Sequence, residues 1–176
     1  HFSNQEFLKR KTKVLQSMKE QNLDAILMFR QESMYWLTGY DTFGYVFFQT
    51  LILDQKGNTI LLTRAPDLRQ AQNTSNISDI RIWIDKDESN PTDDLKLILN
   101  ELNSKGKKIG IEYEAYGLTG RNALRLNKSL KDYCVVEDHS ELITKHRVVK
   151  SQNEIVYVRK AAELADKALE EAEKIK

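Results

Sequence analysis

The residues best suited to contact a small molecule form one aromatic stretch, Tyr40-Asp41-Thr42-Phe43-Gly44-Tyr45-Val46-Phe47-Phe48. Rings this dense around a glycine and a carboxylate, just before a predicted strand, can line a surface that holds a ligand. The alternative is that alternate residues pack the two covered faces of the strand, and packing is favoured for any single aromatic here. An exposed subset of these rings would favour an interaction site, because exposed apolar patches tend to mark such sites.

A hydrolytic metal site is not expected within this chain. Such a site needs several His, Asp or Glu ligands around one ion, and the three histidines are His1, His139 and His146. His139 and His146 flank a predicted short helix beside Asp138 and Glu141, at a spacing that matches no metal motif. A position at the C-terminal end of a helix explains His146 through the helix dipole.

Other catalytic patterns are also missing from the sequence. Segment 85–89 opens like a calcium loop, but Asn90 stands where that loop needs glycine and Lys96 where it needs glutamate. The G-x-x-G spacing at 117–120 is best explained as a turn followed by a helix cap at Thr119. Cys134 has no base beside it and is interpreted as a buried, inert thiol. No phosphate-binding loop, dinucleotide fingerprint or nucleophile elbow is present.

Composition narrows the function classes further. The 27 Lys and Arg nearly balance the 26 Asp and Glu, which disfavours nucleic-acid binding as a main role. No apolar run approaches the ~20 residues that a membrane helix needs, and the first residues do not resemble a signal peptide. The sequence therefore favours a cytoplasmic protein with no nucleic-acid and no membrane partner.

The hydrophobic periodicity predicts an α/β fold, in which a mixed sheet is flanked by helices. A polar turn is predicted at 30–33, and the turn at 54–58 predicts a hairpin, which makes the sheet mixed. Predicted helices cover 4–21, 66–74, 91–103, 119–130 and 140–145, and predicted strands cover 23–29, 46–53, 59–63, 80–84, 107–111 and 133–136.

A longer helix is predicted from Ser151 to the end of the sequence. Ser151 and Glu154 have the spacing of a capping box, in which each side chain bonds the backbone N–H near the other. The apolar residues that follow step by three and four along one stripe, which is expected to face a surface outside this chain. They are Ile155, Val158, Ala162, Ala165, Leu169 and Ala172.

Three motifs together resemble the creatinase/prolidase/aminopeptidase P family. Met34-Tyr35-Trp36-Leu37-Thr38-Gly39-Tyr40-Asp41 resembles its N-terminal signature N-x-x-Y-L-T-G-Y/F, and Ile109-Gly110-Ile111-Glu112 resembles its I-G-I/V-E strand end. The run from Arg147 to Ala161 is similar to its interdomain signature R-x-x-K-S-x-x-E-I-x-x-x-R-x-A. Each motif is modest alone, and their order and spacing make the combination specific.

The resemblance implies a fold and a domain organisation. Residues 1–146 would form the family's N-terminal domain, a ribonuclease H-like mixed β-sheet flanked by helices. Residues 147–176 would form the interdomain linker and the first helix of a pita-bread catalytic domain that lies outside this sequence. The chain by itself is thus expected to be non-catalytic, and its partners are expected to be that domain and a second copy in a homodimer.

The resemblance also implies the chemistry of the parent protein. The family's catalytic domain holds two divalent ions, here expected to be manganese, cobalt or zinc, through two Asp, one His and two Glu. The motifs that carry those ligands do not occur here, so no catalytic or metal residue is assigned to this chain. The paired metals would activate a bridging water and polarise the scissile carbonyl of a substrate.

A substrate-access role in the partner subunit is expected for Tyr40, Asp41, Tyr45, Phe47 and Arg64. Creatinase has a Phe and an Arg that meet substrate where this sequence has Tyr45 and Phe47, and loss of the Arg disfavours creatine-like substrates. Peptides with proline in the second position are favoured, with Asp41 near the free amino group and the rings of Tyr45 and Phe47 beside the proline.

Two alternatives stay open. The stretch from Arg64 to Asp67 is similar to the R-x-x-D of ectoine-hydrolase-like relatives, so the substrate could be a compact amide. Peptidase-like domains also occur as pure binding modules in histone chaperones. The presence or absence of the five metal ligands downstream would separate a hydrolase from a binding module.

Overall fold

The computed structural model describes residues 2–174 and contains a six-stranded mixed sheet in the order β4-β3-β2-β1-β5-β6. His1, Ile175 and Lys176 lie outside the described residues. The strands are β1 (Ala25–Met28), β2 (Thr50–Asp54), β3 (Thr59–Arg64), β4 (Asp79–Trp83), β5 (Lys108–Ile111) and β6 (Val135–Asp138). The helices are α1 (Asn4–Glu20), α2 (Gln31–Thr38), α3 (Leu68–Thr74), α4 (Pro91–Glu101), α5 (Gly120–Leu130), α6 (Ser140–Val148) and α7 (Gln152–Glu173).

The strand pairing confirms the predicted mixed sheet. β1 is antiparallel to β2, and β2 is antiparallel to β3 across the predicted hairpin turn. β1 is parallel to β5, β5 to β6 and β3 to β4. The sheet therefore changes from antiparallel to parallel pairing at β1. A cleft described below lies at the ends of β1 and β5.

Helices cover both faces of the sheet. On β1, Ala25 and Leu27 belong to the cluster under α4 and α5, whereas Ile26 and Met28 belong to the cluster under α1, α2, α3 and α6. This alternation is what a strand with two covered faces requires. The apolar residues of these helices recur at helical spacing and supply the other half of each cluster.

Local cap signals place the starts of several helices as predicted. The Thr119 hydroxyl accepts the Asn122 N–H at the start of α5. The Ser151 hydroxyl accepts the Glu154 N–H while the Glu154 carboxylate accepts the Ser151 N–H, so the predicted capping box at α7 is confirmed. These caps provide acceptors for backbone N–H groups of the first helical turn, which have no acceptor within the helix.

The turn predicted at 30–33 is wrong, because α2 begins at Gln31. The Glu112 carboxylate accepts the N–H groups of Phe29 and Arg30 just before the helix, and this contact joins positions more than 80 residues apart. Local sequence patterns give no information about a contact between such distant positions. The helix ends at Gly39, whose φ of 82° is the left-handed conformation that glycine adopts at low cost.

The strand predicted at 46–53 begins later than expected. Residues Gly44–Val46 form a 3-10 turn, and β2 begins at Thr50. Gly44 packs so closely on the carboxylate of Asp67 that a β-carbon would lie 2.7 Å from its Oδ1. This close approach fixes the chain before β2 and turns the aromatic residues in different directions. The predicted helix at 140–145 also extends further, to Val148.

None of the helices within residues 2–174 is both long and apolar enough to cross a membrane.

Candidate functional site

Tyr40 lies in the core and not on the surface. Its side chain is fully buried, and its hydroxyl donates a hydrogen bond of 2.8 Å to Gln49 Oε1. Burial raises the pKa of the Tyr40 phenol above its ordinary value, so the hydroxyl stays protonated as a donor. Tyr40 therefore holds the start of the aromatic stretch in place and cannot contact a substrate from within this fold.

The segment that follows Tyr40 is exposed, and residues 41–47 are called the 41–47 loop below. Asp41 is exposed, and its backbone N–H bonds to the Thr74 hydroxyl at 3.1 Å. Phe43 is 88% exposed, and Tyr45, Val46 and Phe47 are each at least 40% exposed. Four apolar side chains in solvent exceed what packing of a covered strand explains, and such exposure is typical of an interaction surface.

Phe47 and Arg64 lie together, as neighbours on one side of the 41–47 loop. The guanidinium carbon of Arg64 is 3.3 Å from the centre of the Phe47 ring, and Arg64 Nε donates to Asp67 Oδ2 at 3.1 Å. Asp85 lies 3.7 Å from the same guanidinium. The charge of Arg64 is thus already paired, and the side chain supports the Phe47 ring through a cation–π contact.

Tyr45 lies apart from that pair, in a cleft of about 770 Å³ that we call the β1/β5 cleft. The cleft opens at the carboxyl ends of β1 and β5. It is lined by Phe29, Arg30, Gln31, Glu32, Tyr45, Glu114, Ala115, Tyr116, Gly117, Thr144 and Arg147. The structure thus divides the predicted site residues between two surfaces of the same loop.

The topology of the sheet explains why the cleft is there. β1 and β5 are parallel neighbours, yet the chain leaves β1 toward β2 on one side and leaves β5 toward β6 on the other. The two connections diverge and leave a crevice above the strand ends. In open α/β sheets, ligands bind at such switch points.

The walls of the cleft are held rigidly by Arg30. Its Nε donates to the Glu114 carbonyl at 2.5 Å, and its terminal nitrogens donate to Thr144 Oγ1 at 2.5 Å and Glu114 Oε2 at 2.8 Å. The loop after β5 also approaches closely at Gly117, where a β-carbon would lie 2.9 Å from the Tyr45 carbonyl oxygen. Arg30 therefore ties β1, α6 and this loop together, and Gly117 lets the 41–47 loop close against them.

Glu112 lies beneath the cleft and is fully buried. Its Oε2 accepts the N–H groups of Phe29 and Arg30, both at 3.0 Å, and its Oε1 accepts the Ser33 hydroxyl at 2.6 Å. Burial raises the pKa of Glu112 to about 7, although these donors and the charge of Arg30 act in the opposite direction. Sequence reasoning noted Glu112 at a strand end but did not reveal that it holds the start of α2.

A second polar cluster joins α7 to the rest of the domain. Arg10 is 3% exposed, and its guanidinium donates to the Trp36 carbonyl at 2.8 Å and to Glu154 Oε1 at 3.2 Å. Trp36 Nε1 donates to the same Glu154 oxygen at 2.8 Å. Glu6 lies 3.4 Å from Arg10 and accepts the side-chain amide of Asn153. A charged pair at i, i+4 within the apolar stripe of α1 is the sequence signal that marks this cluster.

His146 and Cys134 have surroundings that explain them structurally. The His146 ring stacks on Trp36, and its Nε2 lies 2.9 Å from the Ser17 hydroxyl, so burial between α1 and α6 lowers its pKa. His146 therefore joins two helices, a role more specific than the dipole contact that was expected. Cys134 is half-buried against the core, and burial raises the pKa of its thiol to about 11.

Residues 2–174 contain no group of three or more His, Cys, Asp or Glu side chains that could hold a metal ion. The dinuclear metal centre implied by the sequence resemblance therefore has no fitting set of ligands in this part of the chain.

Comparison with known proteins extends this description. A family model described as Creatinase/Prolidase N-terminal domain matches residues 10–149. An uncharacterized hydrolase/peptidase of Sinorhizobium fredii is 27% identical over 98% of this chain and 45% of its own length. The ectoine hydrolase of Halomonas elongata is 25% identical over 93% of this chain and 42% of its own length.

The solved structures show the same fold. The prolidase from Thermococcus sibiricus superposes with a TM-score of 0.79 and 20% identity, covering 97% of this chain and 44% of that chain. The chain thus spans less than half the length of each of these relatives.

Proposed function

The chain belongs to the Creatinase/Prolidase N-terminal domain family, and from that premise we propose that it is the non-catalytic domain of a larger dinuclear-metal hydrolase. The substrates proposed for the whole protein are short peptides with proline in the second position. The two divalent ions, which activate water and polarise the scissile carbonyl, are assigned to a second domain. The part played by this chain is to shape access to that site and to contribute to a homodimer.

The way α7 joins the domain supports a second domain beside it. Glu154 binds the first turn of α7 to Arg10 and Trp36, whereas no residue of the whole 22-residue helix is buried. Leu164 and Leu169 are 59% and 66% exposed. A long helix with apolar side chains in solvent gains most of its stability from packing against another surface. We assign residues 147–176 to the linker and the first helix of that second domain.

The observation that carries the substrate-access role is the exposure of the 41–47 loop on a fixed base. Gly44 is fixed against Asp67, and Phe47 is supported by Arg64, yet the rings and the Asp41 carboxylate face solvent. Such a loop can present rings and a carboxylate to a partner subunit without first having to become ordered. We place this loop at the substrate entrance of the other subunit, with Asp41 toward a free amino group.

Kinetics of the full-length protein test this assignment. Asp41→Ala and Tyr45→Ala should each lower kcat/KM for an Xaa-Pro dipeptide at least about tenfold. A lost charged contact of Asp41 is worth about 1.5–3 kcal/mol, and a lost apolar contact of the Tyr45 ring is worth about as much. The melting temperature should change little, because the Asp41 side chain is exposed and Tyr45 is 40% exposed. Asp87→Ala, an exposed acid in another loop, is the matched control. Equal kcat/KM for all three variants and the parent would remove the loop from the site.

A compact amide is the second candidate substrate. The ectoine hydrolase relative supports it, as does the Arg64–Asp67 ion pair at 3.1 Å, which realises the R-x-x-D stretch noted in the sequence. Assay of the full-length protein against ectoine and an Xaa-Pro dipeptide in parallel separates the two. Turnover of ectoine alone would replace the peptide assignment.

A further inference from the structure

The β1/β5 cleft contains charges that the fold does not use. Arg147 lines the cleft, and its guanidinium makes no ion pair or hydrogen bond within residues 2–174. Glu32 also lines the cleft, and its carboxylate is equally without a partner in the described part of the chain. The remaining charged pair, Arg30 and Glu114, is neutralised at 2.8 Å. One free cation and one free anion thus face the same crevice.

The apolar lining of the cleft is also open to solvent. Tyr45 is 40% exposed and Tyr116 is 89% exposed, and they come from two different loops. Aromatic side chains that are neither buried nor paired gain free energy when an apolar group covers them. The rings therefore offer binding energy for the apolar part of a ligand, between or beside the two charges.

The charges are held where they can act. Glu32 lies in the first turn of α2, where the helix dipole favours a negative charge. Arg147 lies in the last turn of α6, where the dipole favours a positive charge. The Arg30 contacts to Thr144 and the Glu114 carbonyl fix the floor between these helices. A preformed crevice of this kind loses little freedom on binding, so weak contacts add up to measurable affinity.

We propose that the β1/β5 cleft binds a small zwitterion with an apolar side chain, namely a free amino acid or a short unblocked peptide. Arg147 takes the carboxylate in a charge-assisted, two-pronged hydrogen bond, and Glu32 takes the ammonium group. Tyr45 and Tyr116 cover the apolar side chain. The cleft volume of about 770 Å³ lies within the range of about 300–1,000 Å³ common for small-molecule sites. The site shares Tyr45 with the 41–47 loop, but it does not rest on the proposed function, because it uses this chain alone and involves no turnover.

Titration of the isolated chain with L-leucyl-L-proline, followed by amide chemical shifts in NMR spectra, tests the proposal. We expect the Arg30, Tyr45 and Gly117 amides to shift with one common dissociation constant. The C-terminal amide and the N-acetyl derivative of the dipeptide should each bind about tenfold more weakly, since a charged hydrogen bond is worth at least about 1.4 kcal/mol.

Two variants assign each charge to its partner. Arg147→Gln should weaken binding of the parent peptide about tenfold and leave binding of the C-terminal amide unchanged. Glu32→Gln should weaken binding of the parent peptide about tenfold and leave binding of the N-acetyl peptide unchanged. Within residues 2–174, neither side chain makes an ion pair or a hydrogen bond, so the variants should fold normally. Arg121→Gln, an exposed arginine at the start of α5, is the control and should bind like the parent.

Three results would overturn the proposal. The first is a titration in which the cleft amides do not shift. The second is equal weakening by Arg147→Gln and Arg121→Gln, which would indicate a nonspecific charge effect. The third is unchanged binding of the N-acetyl peptide, which would make the site one for anions and not zwitterions. Tyr45 belongs to both ideas, but Asp41 does not line the cleft. The kinetics of Asp41→Ala in the full-length protein and the titration of the isolated chain can therefore fail independently.

Discussion

At the scale of single residues, Glu112 shows how one buried carboxylate organises the β1/β5 cleft. Its three donors come from Phe29, Arg30 and Ser33, so the carboxylate closes the gap between β1 and α2. Arg30 is then directed into the β1/β5 cleft, where it binds Thr144 and Glu114. The geometry of the cleft therefore depends on a side chain that does not line it.

The raised pKa of Glu112 predicts a pH dependence of stability. Its folded pKa of about 7 exceeds the ordinary value of 4.5, so the folded state holds this proton more tightly than the unfolded state. The resulting stabilisation is complete below about pH 4.5 and is lost as the pH rises through about 7. The upper limit of this effect is on the order of 3 kcal/mol, from about 1.4 kcal/mol for each pKa unit.

Glu112→Gln isolates the effect. Glutamine keeps the shape of the side chain and does not titrate, and the Ser33 hydroxyl can accept from its amide. Urea unfolding at several pH values should give a free-energy difference, parent minus variant, that falls between pH 4.5 and 7 and is flat above it. Glu163→Gln, on the exposed surface of α7, should show no such fall. A flat difference for Glu112→Gln would mean that folding does not raise the pKa of Glu112 above its ordinary value.

At the scale of elements, local signals predicted most of the fold. The caps at Thr119 and Ser151 and the buried strand within 23–29 follow from neighbours in sequence, and the structure confirms them. The start of α2 was missed because Glu112, far along the chain, fixes it. The 3-10 turn at Gly44–Val46 was missed because Asp67 packs on Gly44. In both places, a contact between residues far apart in the sequence determines the local structure, and hydrophobic periodicity does not reveal such a contact.

The sequence predicted which segment carries the candidate site residues, but not which of their side chains lie together on one surface. The aromatic density marked the 41–47 loop correctly as unusual, and its exposure is observed. The same pattern could not show that Tyr40 points into the core, or that Tyr45 and Phe47 face different neighbours. The unpaired charges of the cleft were equally hidden, since pairing is a property of the folded chain.

The element with the least support is α7, and its stability should fall along its length. Hydrogen exchange should be slowest near Glu154, where Arg10 and Trp36 bind, and fast beyond Ala165, where the side chains are exposed. Glu154→Gln should accelerate exchange in the first two turns about tenfold, because it weakens a charged hydrogen bond to a buried guanidinium.

The control for this experiment lies on the same helix. Glu163→Gln changes an equal charge at an exposed position and should leave exchange near Glu154 as it was. Protection beyond Ala165 equal to that of β1 and β5, in a monomeric sample, would contradict the predicted gradient. Equal exchange in the parent and Glu154→Gln would show that the cap alone, without Arg10 and Trp36, holds the helix.

At the scale of the whole molecule, two surfaces are built on one sheet. The reversal of connections at β1 and β5 creates the cleft, and the same reversal places the 41–47 loop at its edge. The Arg10 cluster lies elsewhere, between α1, α2 and α7, and shares no residue with the lining of the cleft. A substitution in the lining of the cleft therefore need not disturb the contacts of the Arg10 cluster, nor the reverse.

We therefore expect the isolated chain to bind short peptides, and only the full-length protein to hydrolyse them. The isolated chain should hydrolyse no Xaa-Pro dipeptide or tripeptide, even with added manganese, cobalt or zinc. The reason is that residues 2–174 offer no cluster of ligands to hold a metal, so nothing in them can lower the pKa of a bound water. The assay follows release of proline, with a full-length protein and the same metals as the positive control. Metal-dependent turnover that co-elutes with the isolated chain through successive columns would contradict the prediction. Peptide binding without turnover would instead show that the chain recognises ligand through its own charges while the chemistry belongs elsewhere.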